Sequence, residues 1–308
     1  CNHYYSDWHA QVQAAIAPHA GPSARLAAAL RFSIKSCVAD PRNRLFTTGV
    51  FKLLNEDRDV CSSWAQFYSA VREFFVGLIL SAQAAGETTV IQRKVIGHSV
   101  QGRPIVALRL GEPDRPVVVM MAAMHGNEAA PSQILRSLAA GPAVHGIDLW
   151  VVPTYNPDGV AANRRQNAHG VDLNRNFPYH WIRQTGTYDS GPKAGSEPET
   201  RAVMRFLRRV RPSRIISFHQ PLYGVDTDTK DPAFARRLAR ALKLPSKVFS
   251  CGGVCHGTMT GWYNHRFAGS AVTVEYDAHP PRARLRSKAP RQLLGVLGGW
   301  RGDPVASG

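Results

Sequence analysis

The chain has 308 residues, 44% hydrophobic and 19% charged, a globular composition for one large domain or two small ones that excludes a disordered or collagen-like protein. Its longest apolar run falls short of the roughly 18 residues that span a bilayer, which excludes a transmembrane helix. A net charge of +16, from 38 Lys and Arg against 22 Asp and Glu, favours polyanionic surroundings such as nucleic acid, anionic lipid or an acidic envelope polymer.

Residues 1–86 read as a helical N-terminal segment. Residues 8–17 and 23–33 are Ala-rich, and residues 63–85 place Phe67, Val71, Phe74, Phe75, Leu78 and Ile79 roughly on one face. Asp40-Pro41 and residues 55–59 separate these pieces. The segment carries no recognisable chemistry, and its role stays open. A second domain, 87–308, begins where the pattern changes to short β-rich runs alternating with helices. Residues 89–96 and 104–110 flank Gln101-Gly102 as a hairpin. The continuous apolar run 117–123 predicts a central strand covered on both faces, and residues 149–152, 214–218 and 271–274 read alike. Helices are expected over 130–140, 196–210 and 231–242; the second opens with Ser196 and Glu199 at the spacing of a capping box. The alternation predicts an α/β fold: a mixed, largely parallel central sheet with helices on both faces. The arginines are scattered along it. The densest group, Arg205, Arg208, Arg209, Arg211 and Arg214, reads as the solvated face and exit of a helix, so nucleic acid is not expected as a partner.

There are five cysteines: Cys1, Cys37, Cys61, Cys251 and Cys255. In an oxidising compartment Cys37 could pair with Cys61 and Cys251 with Cys255, leaving Cys1 over. A chain that opens on cysteine without a Met fits a lipid anchor at Cys1 and a place in the bacterial cell envelope or periplasm. Reduced thiols in a cytoplasmic protein are the alternative. Cys251-x-x-x-Cys255-His256 could also be part of a structural zinc site, but no fourth ligand lies nearby to complete a tetrahedron.

Open α/β sheets bind ligands outside the carboxyl ends of their strands. The run 117–123 leads into Met124-His125-Gly126-Asn127-Glu128, an imidazole and a carboxylate able to close on one metal ion. Alone, His-x-x-Glu is also a common surface pair. His219, at the end of another core strand, tips the balance: two His and one Glu form a catalytic zinc set with the fourth position open. One zinc per chain is expected. Glu275 ends the run 271–274 and is the candidate general base and acid for metal-assisted hydrolysis. Asp172 is the candidate carboxylate to accept a ligating histidine's other ring N–H. Asn174 and Arg175 offer a fork of donors to a substrate carboxylate. Arg165 is a second cation, suited to a developing oxyanion.

The constellation resembles the zinc metallocarboxypeptidase family. The motifs run in the family's order: His125-Gly126-Asn127-Glu128, Asn156-Pro157-Asp158-Gly159, Arg165-Gln166-Asn167, Gly-Val-Asp-Leu-Asn-Arg-Asn-Phe-Pro over residues 170–178, Ser-Glu-Pro-Glu-Thr over 196–200, His219 and Val274-Glu275-Tyr276. The resemblance covers residues 95–276. It implies zinc on His125, Glu128 and His219, carboxylate binding by Asn174 and Arg175, transition-state help from Arg165 and catalysis by Glu275. Within the family, His219-Gln220-Pro221-Leu222 and the compact length look like the bacterial murein peptide amidases, which cut the γ-D-glutamyl–meso-diaminopimelate bond of cell-wall peptides. A small acidic peptide of that kind suits a basic protein.

One departure concerns the mobile tyrosine of the digestive members, whose place is taken by Gly253; a tyrosine capping the substrate is either absent or comes from elsewhere, with Tyr223 and Tyr263 as the candidates. The specificity-pocket position is Thr260, which argues against a preference for large apolar or basic C-terminal side chains. Asp226 and Asp228 are candidates for the ammonium of a diaminopimelate side chain, or else they merely cap a loop. Other readings are a general zinc carboxypeptidase and an acyl-amino-acid deacylase related to succinylglutamate desuccinylase and aspartoacylase. The Asn-Pro-Asp-Gly and Asn-Phe-Pro stretches fit that deacylase branch less well. A non-catalytic envelope-binding protein would have lost a ligand or the glutamate, and neither is missing.

Overall fold

The structure, a computed structural model, describes residues 90–249 and 255–301 together with Ala14, Ala17 and Pro18. Cys1, Cys37, Cys61, Cys251, Gly253 and nearly all of the helical pattern read in residues 1–86 lie outside the described residues. The elements below belong to the unit from Thr89 to Gly308.

The apolar runs become the centre of the sheet. Strands β3 (Val117–Ala122), β5 (Asp148–Val152), β6 (Arg214–His219) and β9 (Ser270–Glu275) lie parallel in the order β5-β3-β6-β9. The hairpin expected from the sequence is present as β1 (Val90–His98) and β2 (Pro104–Gly111), with β2 running antiparallel to β5. At the other edge β7 (Gly224–Asp226) pairs antiparallel with β9 and parallel with β8 (Ser246–Lys247), completing a mixed eight-stranded sheet. Two short strands, β4 (Val144–His145) and β10 (Trp300–Arg301), pair separately.

Side chains alternate across a strand, so a strand covered on both faces needs apolar residues at every position. In β3, Val118, Met120 and Ala122 join one core cluster, while Val119 and Met121 join the other. The first cluster is closed by α1 (Ser132–Ala139), α4 (Pro232–Leu242) and α6 (Ala289–Leu297), the second by α3 (Pro198–Val210) and α5 (Met259–Arg266). A short helix, α2 (Pro157–Ala161), lies between β5 and α3. Each fully buried Val, Leu or Met in these layers contributes about 1.5–3 kcal/mol. No described helix is long and apolar enough to cross a membrane.

Local chemistry sets the helix limits. The Asp231 carboxylate accepts the Phe234 N–H at the start of α4, where Pro232 fills the first turn and its missing N–H costs nothing. The capping box expected at Ser196 does not form. Pro198 opens α3 one residue later than that box requires, with Glu197 at the cap position and no side-chain cap bond. The Ser196 hydroxyl instead donates to Glu197 and accepts the Asn176 amide. Glu199 turns inward and accepts the Val100 N–H and the Asn167 amide.

The four parallel strands bring their carboxyl ends to one edge of the sheet. The β6–β9 register pairs His219 directly with Glu275. Both candidate residues therefore emerge side by side from the most buried part of the fold.

Candidate active site

Beyond β3 the chain turns through Ala123, whose φ of +56° is rare for a residue with a side chain. Asn156 holds this turn: its N–H donates to the Ala123 carbonyl and its amide to the Met124 carbonyl. Gly126 then lies against Gly159, so closely that a Cβ on Gly126 would stand 1.9 Å from the Gly159 carbonyl carbon. The Asn-Pro-Asp-Gly stretch thus shapes the metal-ligand loop while giving it no ligand. The Glu128 N–H closes the loop on the His125 carbonyl at 3.1 Å.

The result is a tight buried triad. His125 Nδ1 lies 2.8 Å from Glu128 Oε1; His219 Nδ1 lies 3.0 Å from Glu128 Oε2 and 3.3 Å from His125 Nδ1. On the far side of each ring, His125 Nε2 is 3.1 Å from Asp172 Oδ1 and His219 Nε2 is 2.9 Å from the Ser217 hydroxyl. With the ring protons on Nε2, where these oxygens accept them, both Nδ1 lone pairs face each other and the carboxylate. Three converging acceptors repel one another unless a cation stands between them. Two imidazoles and one carboxylate with one side open to a cavity are the donor set of a catalytic zinc, and the residues fit it. Burial alone would raise the carboxyls of Glu128 and Asp172. Positive charge on the neighbouring imidazoles, carried as a second ring proton when no cation stands between them, outweighs it, with Arg165 adding to this for Asp172, and holds both well below the usual carboxylate range.

Asp172 links the triad to the candidate substrate groups. It caps the 3₁₀ turn Leu173–Arg175 through the Asn174 N–H, and it receives the Arg165 guanidinium through Nε at 2.9 Å and Nη2 at 2.8 Å. Arg165 Nη1 also reaches Glu128 at 3.2 Å. Asn174 Oδ1 accepts the Met259 N–H, so it is the amide NH₂ that stays available for a ligand. Arg175 is 5% exposed; Nη1 donates to the Asn174 carbonyl, but buried Nε has no partner among the described residues. An unmet buried donor costs about 1–3 kcal/mol. The Tyr188 ring lies against both guanidiniums, 5.3 Å from Arg165 and 5.2 Å from Arg175.

Glu275 is 7% exposed, and the Leu222 N–H at 3.3 Å is its hydrogen bond. Burial pushes its carboxyl up, with the His219 ring opposing. One cavity of about 880 Å³ is lined by His125, Glu128, His219, Glu275, Arg165, Asn174 and Arg175, and also by Thr260, Asp226 and Asp228. Asp172 stands behind His125, fully buried. Asp226 Oδ1 accepts the Asp228 N–H at 3.0 Å, and burial pushes the Asp226 carboxyl up.

Some expectations need correction. Tyr263 is a core residue whose hydroxyl donates to the Pro212 carbonyl, and Tyr223 does not line the cavity; among the described residues the tyrosines that do are Tyr179 and Tyr188. Cys255 is disulfide-bonded, which removes it as a thiolate ligand for a second zinc. Sequence reading also missed Lys230, which lines the cavity with Nζ 2.6 Å from the Phe267 carbonyl, and Ser217. The period of two places Ser217 on the same face of its strand as His219 and was a usable signal.

Comparison with known proteins agrees with this geometry. The zinc carboxypeptidase family model matches residues 80–223. Murein peptide amidase A of Escherichia coli K12 is 34% identical over 184 residues, covering 54% of this chain and 74% of that protein. The Vibrio campbellii protein of the same name is 32% identical over 231 residues, covering 68% and 88%. The crystal structure of murein-tripeptide amidase from Escherichia coli O157 matches with a TM-score of 0.56 at 27% identity, over 69% of this chain and 93% of that one. Carboxypeptidase A from Helicoverpa armigera, 19% identical with a TM-score of 0.58 over 73% of this chain and 71% of its own, shares the fold.

Proposed function

The chain belongs to the zinc carboxypeptidase family, and from that premise we propose a zinc-dependent hydrolase that cleaves an amide bond beside a free carboxylate in murein peptides. What carries this reading is Arg175, a buried guanidinium on the wall of the cavity that also holds the zinc ligands, whose Nε has no partner among the described residues. We place the catalytic domain at residues 87–308. The disulfide at Cys255 favours an oxidising compartment such as the bacterial envelope or periplasm over the cytoplasm.

Bound between His125, Glu128 and His219, zinc supplies Lewis acidity towards the scissile carbonyl and towards water. The chain's own residues do the rest. Arg175 and the Asn174 amide hold the substrate carboxylate and so set where the amide bond lies. Arg165, kept in place by Asp172, offers donors to the carbonyl oxygen as charge develops there. Glu275 takes a proton from the attacking water and returns it to the leaving nitrogen.

A charge-assisted carboxylate pair contributes on the order of 2–3 kcal/mol when partly desolvated. Arg175→Ala should therefore raise KM about 30- to 150-fold on free-acid substrates, and an amidated peptide should already be poor for the parent enzyme. Equal rates on free-acid and amidated peptides would refute the assignment.

The murein substrate rests on the far end of the cavity. Diaminopimelate carries an ammonium and a second carboxylate on its side chain, and a pocket that accepts it needs both charge signs. Asp226 and Asp228 supply one, and Lys230 the other. L-Ala-γ-D-Glu-meso-diaminopimelate should be cleaved far faster than the same tripeptide ending in lysine. Asp226→Asn should narrow that gap, because an ammonium left unpaired in a partly buried site is costly. Equal kcat/KM for the two tripeptides removes the murein substrate and leaves a general zinc carboxypeptidase.

A further inference from the structure

We propose that Gln220 is a positioning residue for the zinc centre, its single side chain fastening the exits of β3 and β9 to the exit of β6. Inside the sheet, ladder hydrogen bonds hold these strands in register. His219 and Glu275 are the last pair of that ladder; past it each exit turns separately, yet Glu128 must keep one geometry with both.

Gln220 follows His219 and is 7% exposed. Its backbone N–H donates to Glu128 Oε2 at 3.2 Å. Its side-chain Oε1 accepts the Ala130 N–H at 3.2 Å, two residues past Glu128. On the opposite side its Nε2 donates to the carbonyls of Asp277 and Ala278, each at 3.0 Å, just past Glu275. Strand β6 lies between β3 and β9, so the amide bridges to both neighbours at once. Only a carboxamide has an acceptor for one side and two donors for the other. The same segment continues to Leu222, whose N–H meets the Glu275 carboxylate. Groups that orient metal ligands from behind tune affinity and activity although they never touch the metal.

The proposal rests on the site reading given above, and its test separates the two. In the full-length zinc-loaded enzyme, Gln220→Met keeps much of the volume and removes both arms. Gln220→Glu keeps the acceptor for Ala130 and turns the donors into lone pairs facing two carbonyls. Zinc release to a competing chelator, kcat and KM are measured for each variant. Gln220→Met should release zinc more than fivefold faster and lose more than fivefold in kcat. KM should stay within threefold, because Asn174 and Arg175 lie on another segment. Gln220→Glu should lose more than fivefold in kcat as well. Zinc release and kcat within fivefold of the parent in Gln220→Met, or a KM rising in step with the loss of kcat, overturns the proposal. If Gln220→Met does not fold, a Gln220→Glu kcat within fivefold of the parent overturns it. Zinc retained tightly by His219→Ala would instead overturn the metal-site reading, whatever Gln220 does.

Discussion

Glu275→Gln should keep its fold and its zinc and lose on the order of 10²- to 10⁴-fold in kcat, the usual contribution of a positioned acid–base group. The amide is nearly isosteric and can still accept the Leu222 N–H, so the strand end has no reason to move. What it cannot do is take a proton from water and pass it on. Zinc content and the circular dichroism spectrum should match the parent, which separates lost chemistry from lost structure. Turnover within tenfold of the parent would mean that another group is the base.

The second large effect is expected at His219. Replacing it by Ala leaves His125 and Glu128 alone, and two protein ligands are too few for a stable catalytic zinc. The Ser217 hydroxyl also loses its ring partner. Metal analysis after dialysis should find little zinc, and activity should fall to background. Stoichiometric zinc that survives dialysis would sink the ligand assignment.

His125, His219 and Glu275 could be placed at the cavity from the sequence because each stands where an apolar run stops, and Glu128 followed from its spacing to His125. A strand covered on both faces is written as uninterrupted Val, Ile, Met and Ala, and a polar residue ending such a run has reached the edge where ligands bind. The hairpin of β1 and β2 was legible for the same reason of pattern. Gln220 was not, because all of its side chain's partners are backbone groups, which leave no trace in residue identity. Tyr188 was hidden in a single 3₁₀ turn, Gly186–Tyr188, too short for any periodicity to say what a side chain will meet. The Ser196–Glu199 spacing misled because a proline between them moved the helix start, and Glu199 found partners from distant segments. Asp172 was expected behind a ligating histidine, whereas its choice of His125 and its further tasks of capping a turn and anchoring Arg165 are set by contacts between distant segments.

His219 and Glu275 face each other across a parallel ladder, so their separation is an interstrand spacing, which thermal motion scarcely alters. A slip of one residue would swing Glu275 to the opposite face of the sheet, leaving no intermediate arrangement to drift into. Admitting a substrate and discharging its pieces therefore falls to other parts of the cavity wall. Leu222 and Tyr188, 52% and 39% exposed, stand on that wall.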